Sequence, residues 1–399
     1  MFNSLRLYGK YFFASAFSPA GKYVVRDVNR YLLKKDLFKN IPPADSVSRK
    51  TALDMAVRWL IEAQKANADG GMGSFHLINK WSSSYPETTG YIIPTLINYG
   101  KKYDQPEATE RAVNASDFLL KIQCRSGGWQ GGRVAENKPE IVFNSGQVIR
   151  GMIATYEHTG KQRYLDSAVA AGNWLSKIQH PEGFWKEHAL MNAARVYDTF
   201  VDAPLLDLFG QTGDEKLKST AIRNLDWVVN VKLTENGWFE DCDNTVKRND
   251  RPILHTIAYT LDGLIDSGIL LKDEKYISSA ERGAVKLRDY FMLNGFLHGR
   301  YDRNWQGSEH MICAGSAQMA IIWMKLYGIN GDAKYLDAAR KMIDLLIFIQ
   351  NRDIEETPDT LGAIPGSFPM WGRYEPFAYP NWAAKFFADA LILADEMRA

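Results

Sequence analysis

The sequence predicts an all-α fold, an (α/α)6 barrel (toroid) of six helical-hairpin repeats preceded by a basic arm. Three observations carry that prediction. First, an apolar anchor is followed five residues later by Gln and then by a Gly-aromatic turn: Trp59, Gln64 and "GGMG"; Phe118, Gln123 and "GGWQ"; Trp174, Gln179 and "EGFW". Trp227, Lys232 and "NGWF" repeat the arrangement with Lys in place of Gln. Second, the position five after the anchor falls at 64, 123, 179, 232, 292 and 350, in steps of 59, 56, 53, 60 and 58 residues. Third, "KQRYLDSA", "DEKLKSTA", "DEKYISSA" and "DAKYLDAA" place Tyr164, Leu217, Tyr276 and Tyr335 at steps of 53, 59 and 59. Periods of this length mark stacked supersecondary units that bury their faces only against one another.

The elements follow in order. Residues 1–45 form the arm, which mixes basic residues with Phe2, Tyr8, Tyr11, Phe12, Phe13, Phe17, Tyr23 and Tyr31. Residues 46–399 form the barrel, one domain despite its length. In each unit the first helix, as in "YLDSAVAAGNWLSKIQ", repeats apolar residues at three and four, which fits an outer helix with one buried stripe. Its terminal Gln suits bonding of the following turn, and the glycines permit the backbone to reverse there. The second helix, as in "GQVIRGMIATYEHTG" or "SAQMAIIWMKLYG", is apolar nearly all round, so neighbours must enclose it, and Gly ends it. No alternating strand pattern competes with this reading.

Composition excludes several classes of function. The chain has 399 residues, 46% hydrophobic and 24% charged, with a formal charge of +1, which gives a nucleic-acid partner no electrostatic support. Eight Lys or Arg lie in residues 1–40 against Asp27 and Asp36, so the arm is basic and the remainder acidic. A basic aromatic segment suits either packing on the barrel wall or peripheral contact with a membrane or acidic partner. Cys124, Cys242 and Cys313 make no disulfide framework, so a reducing, cytoplasmic location is expected, at the inner face of the membrane if the arm binds there. No apolar run reaches the roughly 20 residues of a membrane span, and charge interrupts the leading segment too often for a signal peptide. No cofactor and no metal are expected.

Function belongs to the connectors between each Gly-aromatic turn and the enclosed helix, because these converge on one mouth. They hold five of the seven histidines and the candidates Tyr85, Glu87, Trp185, Arg195, Tyr197, Asp198, Glu240, His255, Arg300, Tyr301, Arg303, Trp305, His310, Trp371 and Tyr374. Aromatic planes beside carboxylates and Arg suit stacking of sugar faces, bonding of hydroxyls and pairing with acidic sugars. A hydrocarbon-cyclising cavity would be aromatic with few charges. The nearest approach to an Asp-x-Asp-Asp acid is "DCDN", which ends in Asn244, and a zinc site would have to be assembled from Asp241, Cys242 or Asp243 with His298 or His310. A glycoside hydrolase would draw its two carboxylates from Glu87, Asp198, Glu240, Asp241 and Glu309.

The Gln…Gly-x-Trp repeat resembles the terpenoid cyclase and protein prenyltransferase toroid superfamily over most of the chain. The run from "GGWQGG" through "NGWFEDCDNTVKRNDRPILHTIAYTLDGLIDSG" to "HGRYDRNW" is similar to the C-terminal helical domain of glucuronyl C5-epimerases. That likeness implies proton abstraction at C5 of a uronate, by epimerisation or lyase-type elimination, with Tyr301 as base or acid and Arg300 and Arg303 on the carboxylate. His255, Glu240, Glu87 or His310 would supply the partner group. Tyr85, Trp129, Trp185, Arg195, Tyr197, Asp198, Trp238, Trp305, Trp371 and Tyr374 would bind the sugars. Phe239 stands where the epimerases carry Tyr. The chain is also similar to uncharacterised barrel proteins of bacterial surface-polysaccharide assembly, through "SYPETTGY" and "YPNWAAKFFADAL". The expected partner is thus an acidic polysaccharide or a lipid-linked oligosaccharide, the alternatives being a hydrolase and a non-catalytic glycan-binding barrel.

Overall fold

The computed structural model describes Gly9 and residues 21–32, 41–353 and 357–397. Arm helix α1 (Gly21–Leu32) precedes twelve helices that alternate between two rings. The outer ring holds α2 (Ser46–Lys65), α4 (Pro106–Ile122), α6 (Gln162–Ile178), α8 (Glu215–Trp227), α10 (Glu274–Asn294) and α12 (Ala333–Ile349). The inner ring holds α3 (Pro86–Lys102), α5 (Val142–Thr159), α7 (Thr199–Thr212), α9 (Leu254–Leu271), α11 (Cys313–Asn330) and α13 (Asn381–Glu396). Inner helices touch in the order α3, α5, α7, α9, α11, α13 and back to α3, while α13 packs on α2, so the barrel closes on itself. The inner helices are buried on nearly every side, as their all-round apolarity requires.

The repeated glutamine fastens this ring. Gln64 Nε2 donates to the Gly70 carbonyl of its own turn at 2.8 Å and to the Arg111 carbonyl of the next outer helix at 2.9 Å. Gln123 does the same to Gly127 and Ser167 at 2.7 and 2.9 Å, and Gln179 to Gly183 and Thr220 at 2.6 and 2.8 Å. Gln350 reaches Gly362 at 3.0 Å and Ala52 at 2.9 Å, joining the sixth unit to the first. The reversal itself needs glycine: Gly183 has φ +102°, and a Cβ there would stand 2.3 Å from the Arg223 carbonyl. Trp129 and Trp185 plug the layer behind the turn, each fully buried with its indole donating at 2.9 Å to Leu119 and Leu175 carbonyls.

One feature differs from the sequence reading. Among the described residues seven two-residue strands occur in the connectors: β1 (Phe75–His76) pairs with β2 (Lys80–Trp81) and β7 (Ala378–Tyr379), β3 (Arg300–Tyr301) with β4 (Gly307–Ser308), and β5 (Met311–Ile312) with β6 (Ser367–Phe368). Ladders this short leave no alternation in the sequence, yet they tie the first, fifth and sixth connectors together. The arm packs through α1, whose Tyr23 hydroxyl meets Thr360 Oγ1 at 2.7 Å and whose buried Asp27 accepts the Met370 N–H at 2.9 Å. Tyr31 sits edge-on to His310, Phe368 and Trp371. These contacts commit the aromatic face of α1 to the barrel; Phe2, Tyr8, Tyr11, Phe12, Phe13 and Phe17 lie outside the described residues. Among the described residues no helix is long and apolar enough to cross a membrane, and Cys124, Cys242 and Cys313 are free thiols.

Replacing Gln350 by Met keeps the side chain's shape but strands two buried carbonyls. The expected cost is about 1–3 kcal/mol, read as a lower urea midpoint with an unchanged slope.

Candidate active site

All six connectors deliver their chains to the N-termini of the inner helices, so those termini surround one mouth. A pit of about 200 Å3 opens there, lined by Tyr85, Glu87, Tyr91, Phe143, Tyr197, His255, Tyr259, Tyr374, Glu375 and Trp382 among others. It continues into a groove of about 600 Å3 between the second and third connectors, with Tyr85, Glu87, Phe143, Leu190 and Tyr197 shared by both. Phe143 stacks on Phe200, and Tyr259, His255 and Phe386 meet them or one another edge to face or tilted to form the inner wall.

Glu87 stands in the first turn of α3, which Pro86 starts with its fixed φ. Two influences favour its charged form, the helix N-terminus and the Tyr85 hydroxyl that donates to Oε2 at 2.7 Å. Enclosure by protein on every side opposes them and wins: the carboxyl is pushed up to about 7. Glu87 is half-buried and lines both the pit and the groove. His255 is the second residue of α9, three places round the inner ring from α3 and therefore across the pit. Burial pushes its imidazole down to about 4, against a hydrogen bond from Nδ1 to Gln318 Oε1 at 2.6 Å that favours protonation and with Lys385 opposing it. At neutral pH the pit therefore presents a neutral imidazole facing a carboxyl that still carries its proton part of the time.

Further carboxyls stand close by. Asp198, at the start of α7, is buried, and desolvation raises it to about 8 although the Arg195 guanidinium favours the charged form; its Oδ2 has no partner. Arg195 lies buried behind the Leu190 carbonyl at 3.4 Å. Glu375, raised by burial against the pull of Arg133, is held in the left-handed region at φ +45° by the last connector. Tyr374 is fixed beside it, its hydroxyl accepting the Trp382 indole N–H at 2.9 Å.

The other sequence candidates lie elsewhere. Tyr301 is fully buried, and its hydroxyl accepts the His298 N–H at 2.9 Å within its own loop; burial raises it well above the ordinary tyrosine value, so it is not placed to act in the pit. Arg300 is occupied by Asp243 at 2.8 Å and Glu309 at 3.3 Å. Glu240, Arg303 and Trp238 line a separate open groove with Asp241, Arg251 and Asp302. His310 and Trp371 pack against Tyr31 of the arm, and Trp305 bonds the Asn236 carbonyl at 3.1 Å. Trp129 and Trp185 are the layer plugs described above, so they stack no ligand. The spacing of the repeat marks such turn residues strongly, which is why sequence reading drew them into the site. Missed were Glu375, Tyr91, Tyr259, Phe143 and Leu190; the usable signal was that Tyr91 and Tyr259 follow Glu87 and His255 by four on enclosed helices. For a metal, the described residues hold no group of three or more His, Cys, Asp or Glu side chains, and Cys242 faces Thr260 in the core.

No known family model matches the chain, and no curated protein matches it by sequence. Solved structures do. An unsaturated glucuronyl hydrolase specific for heparin superposes with a TM-score of 0.71 at 14% identity, covering 89% of this chain and 99% of that one. Cellobiose 2-epimerase from Bacillus thermoamylovorans gives 0.67 at 13% identity over 86% and 97%. An alpha-amylase from Clostridium perfringens gives 0.64 at 13% identity over 86% and 97%. The chain shares their (α/α)6 barrel fold.

The buried Asp198 makes a pH prediction. Its proton is held more tightly in the folded protein than in the unfolded chain, so folding weakens as pH rises from the ordinary aspartate value of 3.8 through about 8. Asp198→Asn removes that contribution, and the melting temperature of the variant is expected to fall less than that of the wild type between pH 5 and 8, measured by calorimetry.

Proposed function

We propose that this chain is a carbohydrate-active enzyme of the epimerase type, moving a proton off and onto one sugar unit held in the pit, with His255 as proton acceptor and Glu87 as proton donor. The observation that carries this reading is the placement of two oppositely tuned groups across one small cavity. An acceptor must be neutral and a donor protonated at the same pH, and burial produces both states here. The pit is below the ~300–1,000 Å3 of ordinary ligand clefts, which suits a single sugar ring, and the adjoining groove has room for the units that follow. Tyr85, Tyr197, Tyr259, Tyr374 and Trp382 offer ring faces and hydroxyls to such a ligand. The solved structures of like fold include proteins named as sugar epimerases and as glucuronyl hydrolases, which supports a saccharide substrate.

The charge of the lining narrows the sugar. Proton abstraction beside a uronate carboxylate calls for a cation on the developing charge. Among the described residues, Lys138 is the one Lys or Arg lining the joined cavities, against Glu87, Glu140, Glu187 and Glu375. An uncharged sugar at a reducing end therefore fits this lining better than the uronate that the loop arginines suggested: in its ring-opened form the C1 aldehyde acidifies the C2–H that His255 takes and receives the electron pair as an enediolate, and a proton returned to C2 on the other face restores the aldehyde. A setting in bacterial surface-polysaccharide assembly, with a lipid-linked substrate, has its support in the sequence resemblance alone.

The test is incubation with neutral and uronate-containing oligosaccharides in deuterated water, followed by NMR. Deuterium at a sugar carbon without cleavage is the expected result; new reducing ends without it would make the protein a hydrolase. Glu87→Gln should lower kcat by about 10²–10⁴-fold. The wild-type kcat/KM should rise with pH through about 4 as His255 loses its proton and fall above about 7 as Glu87 does. A variant with undiminished exchange would remove Glu87 from the reaction.

A further inference from the structure

His255 acts as a proton acceptor only if one ring nitrogen keeps a lone pair directed at the ligand, and the tautomer decides which one. The group that sets the tautomer comes from a neighbouring helix. Gln318, one and a half turns into α11, is fully buried and places Oε1 2.6 Å from His255 Nδ1. A carbonyl oxygen accepts and cannot donate, so the proton of that bond sits on Nδ1 and Nε2 is left unprotonated.

The fold goes to some length to make this contact. Gly315 lies one turn before Gln318, and a Cβ there would stand 2.9 Å from the His255 backbone nitrogen and 2.9 Å from the Leu254 side chain. Only glycine lets α11 come close enough to α9 for the amide to reach the ring. The amide's own Nε2 meets no hydrogen-bond acceptor among the described residues. The remaining neighbours hold the ring without competing for Nδ1. Tyr259 from α9 lies 4.4 Å from it between centroids, Tyr374 from the last connector 5.8 Å and Phe386 from α13 6.0 Å. The charged group bearing on the imidazole is Lys385 of α13, which stands over the Phe386 ring at 4.0 Å and pairs with Asp389 at 2.6 Å. A cation there disfavours a second proton on the ring.

We propose that Gln318, brought into reach by Gly315, is a positioning residue that locks neutral His255 in its Nδ1–H form and so reserves Nε2 as the proton acceptor of the pit. Gln318 is not among the residues that line the pit and acts through the imidazole alone. The proposal rests on the reading of His255 as the acceptor, but its test needs no substrate.

The measurement is ¹⁵N NMR of the full chain labelled at histidine, with the His255 signals assigned by their loss in His255→Gln. At pH 7 the expected pattern is a protonated-type Nδ1 and an unprotonated-type Nε2. A protonated Nε2, or an even mixture, overturns the proposal. In Gln318→Leu the bias should disappear; a bias that persists would also overturn it. Gln318→Glu keeps the acceptor and adds charge, so the Nδ1–H form should remain while the protonation midpoint of His255 moves up by a unit or more. The wild-type spectrum decides the matter even if a variant fails to fold. Retention of sugar turnover in His255→Gln would instead refute the functional reading and leave the tautomer result standing.

Discussion

The glutamine amide that bonds two carbonyls at once is the constraint on which the barrel depends. One acceptor lies in the Gln's own turn and the other in the adjacent outer helix, so each bond pair fixes both where the chain reverses and which neighbour stands beside it. Both acceptors would otherwise be carbonyls buried without donors, which is costly. Repetition of this clasp aligns the connectors at one mouth, and Gln350 to Ala52 closes the circle. The two units that lack Gln use other means. Lys232 ends a π-helical turn and pairs with Asp241 at 2.7 Å, and the fourth, fifth and sixth connectors are tied through Glu309 to Arg248, Arg300 and Arg373. Arg300, which looked like a ligand group in the sequence, is therefore spent on holding loops.

Burial is the dominant electrostatic effect at the mouth. Helix N-termini favour anions and disfavour cations, and on that basis alone Glu87 and Asp198 would be firmly ionised. Enclosure outweighs the helix dipole, the Tyr85 hydroxyl and Arg195, and both carboxyls hold protons into the neutral range. For His255 burial and the helix terminus act in the same direction, so the imidazole stays neutral. One physical cause thus yields a donor and an acceptor from residues that start on opposite sides of neutrality.

The barrel's inner wall also explains how aromatic and polar groups share the site. The enclosed helices are apolar through most of their length, and only their first turns meet the connectors. Tyr91 and Tyr259 lie one turn below Glu87 and His255 and give the pit a floor of ring faces. The polar and titratable groups of the pit are confined to a thin layer where apolar helix ends and polar loop begins.

The sequence by itself determined the architecture. Gln64, Gln123, Gln179 and Gln350, the glycines after them and the apolar pattern between them are local signals, because each names its own turn and its own helix face. It also placed Tyr85, Glu87, Tyr197, His255 and Tyr374 among the residues that come to line the cavity. What the chain could not show was which polar connector residues face inward. Tyr301 beside Arg300 and Arg303 reads as a reactive loop in one dimension, yet a two-residue ladder turns the ring into the core and a distant Asp243 claims the guanidinium. Glu375 and Gln318 carry no motif at all, and their roles arise from a loop crossing the mouth and from a glycine contact between α9 and α11. Periodicity reports faces of helices, while side-chain direction in a connector depends on partners tens to hundreds of residues away, and only the closed ring decides those.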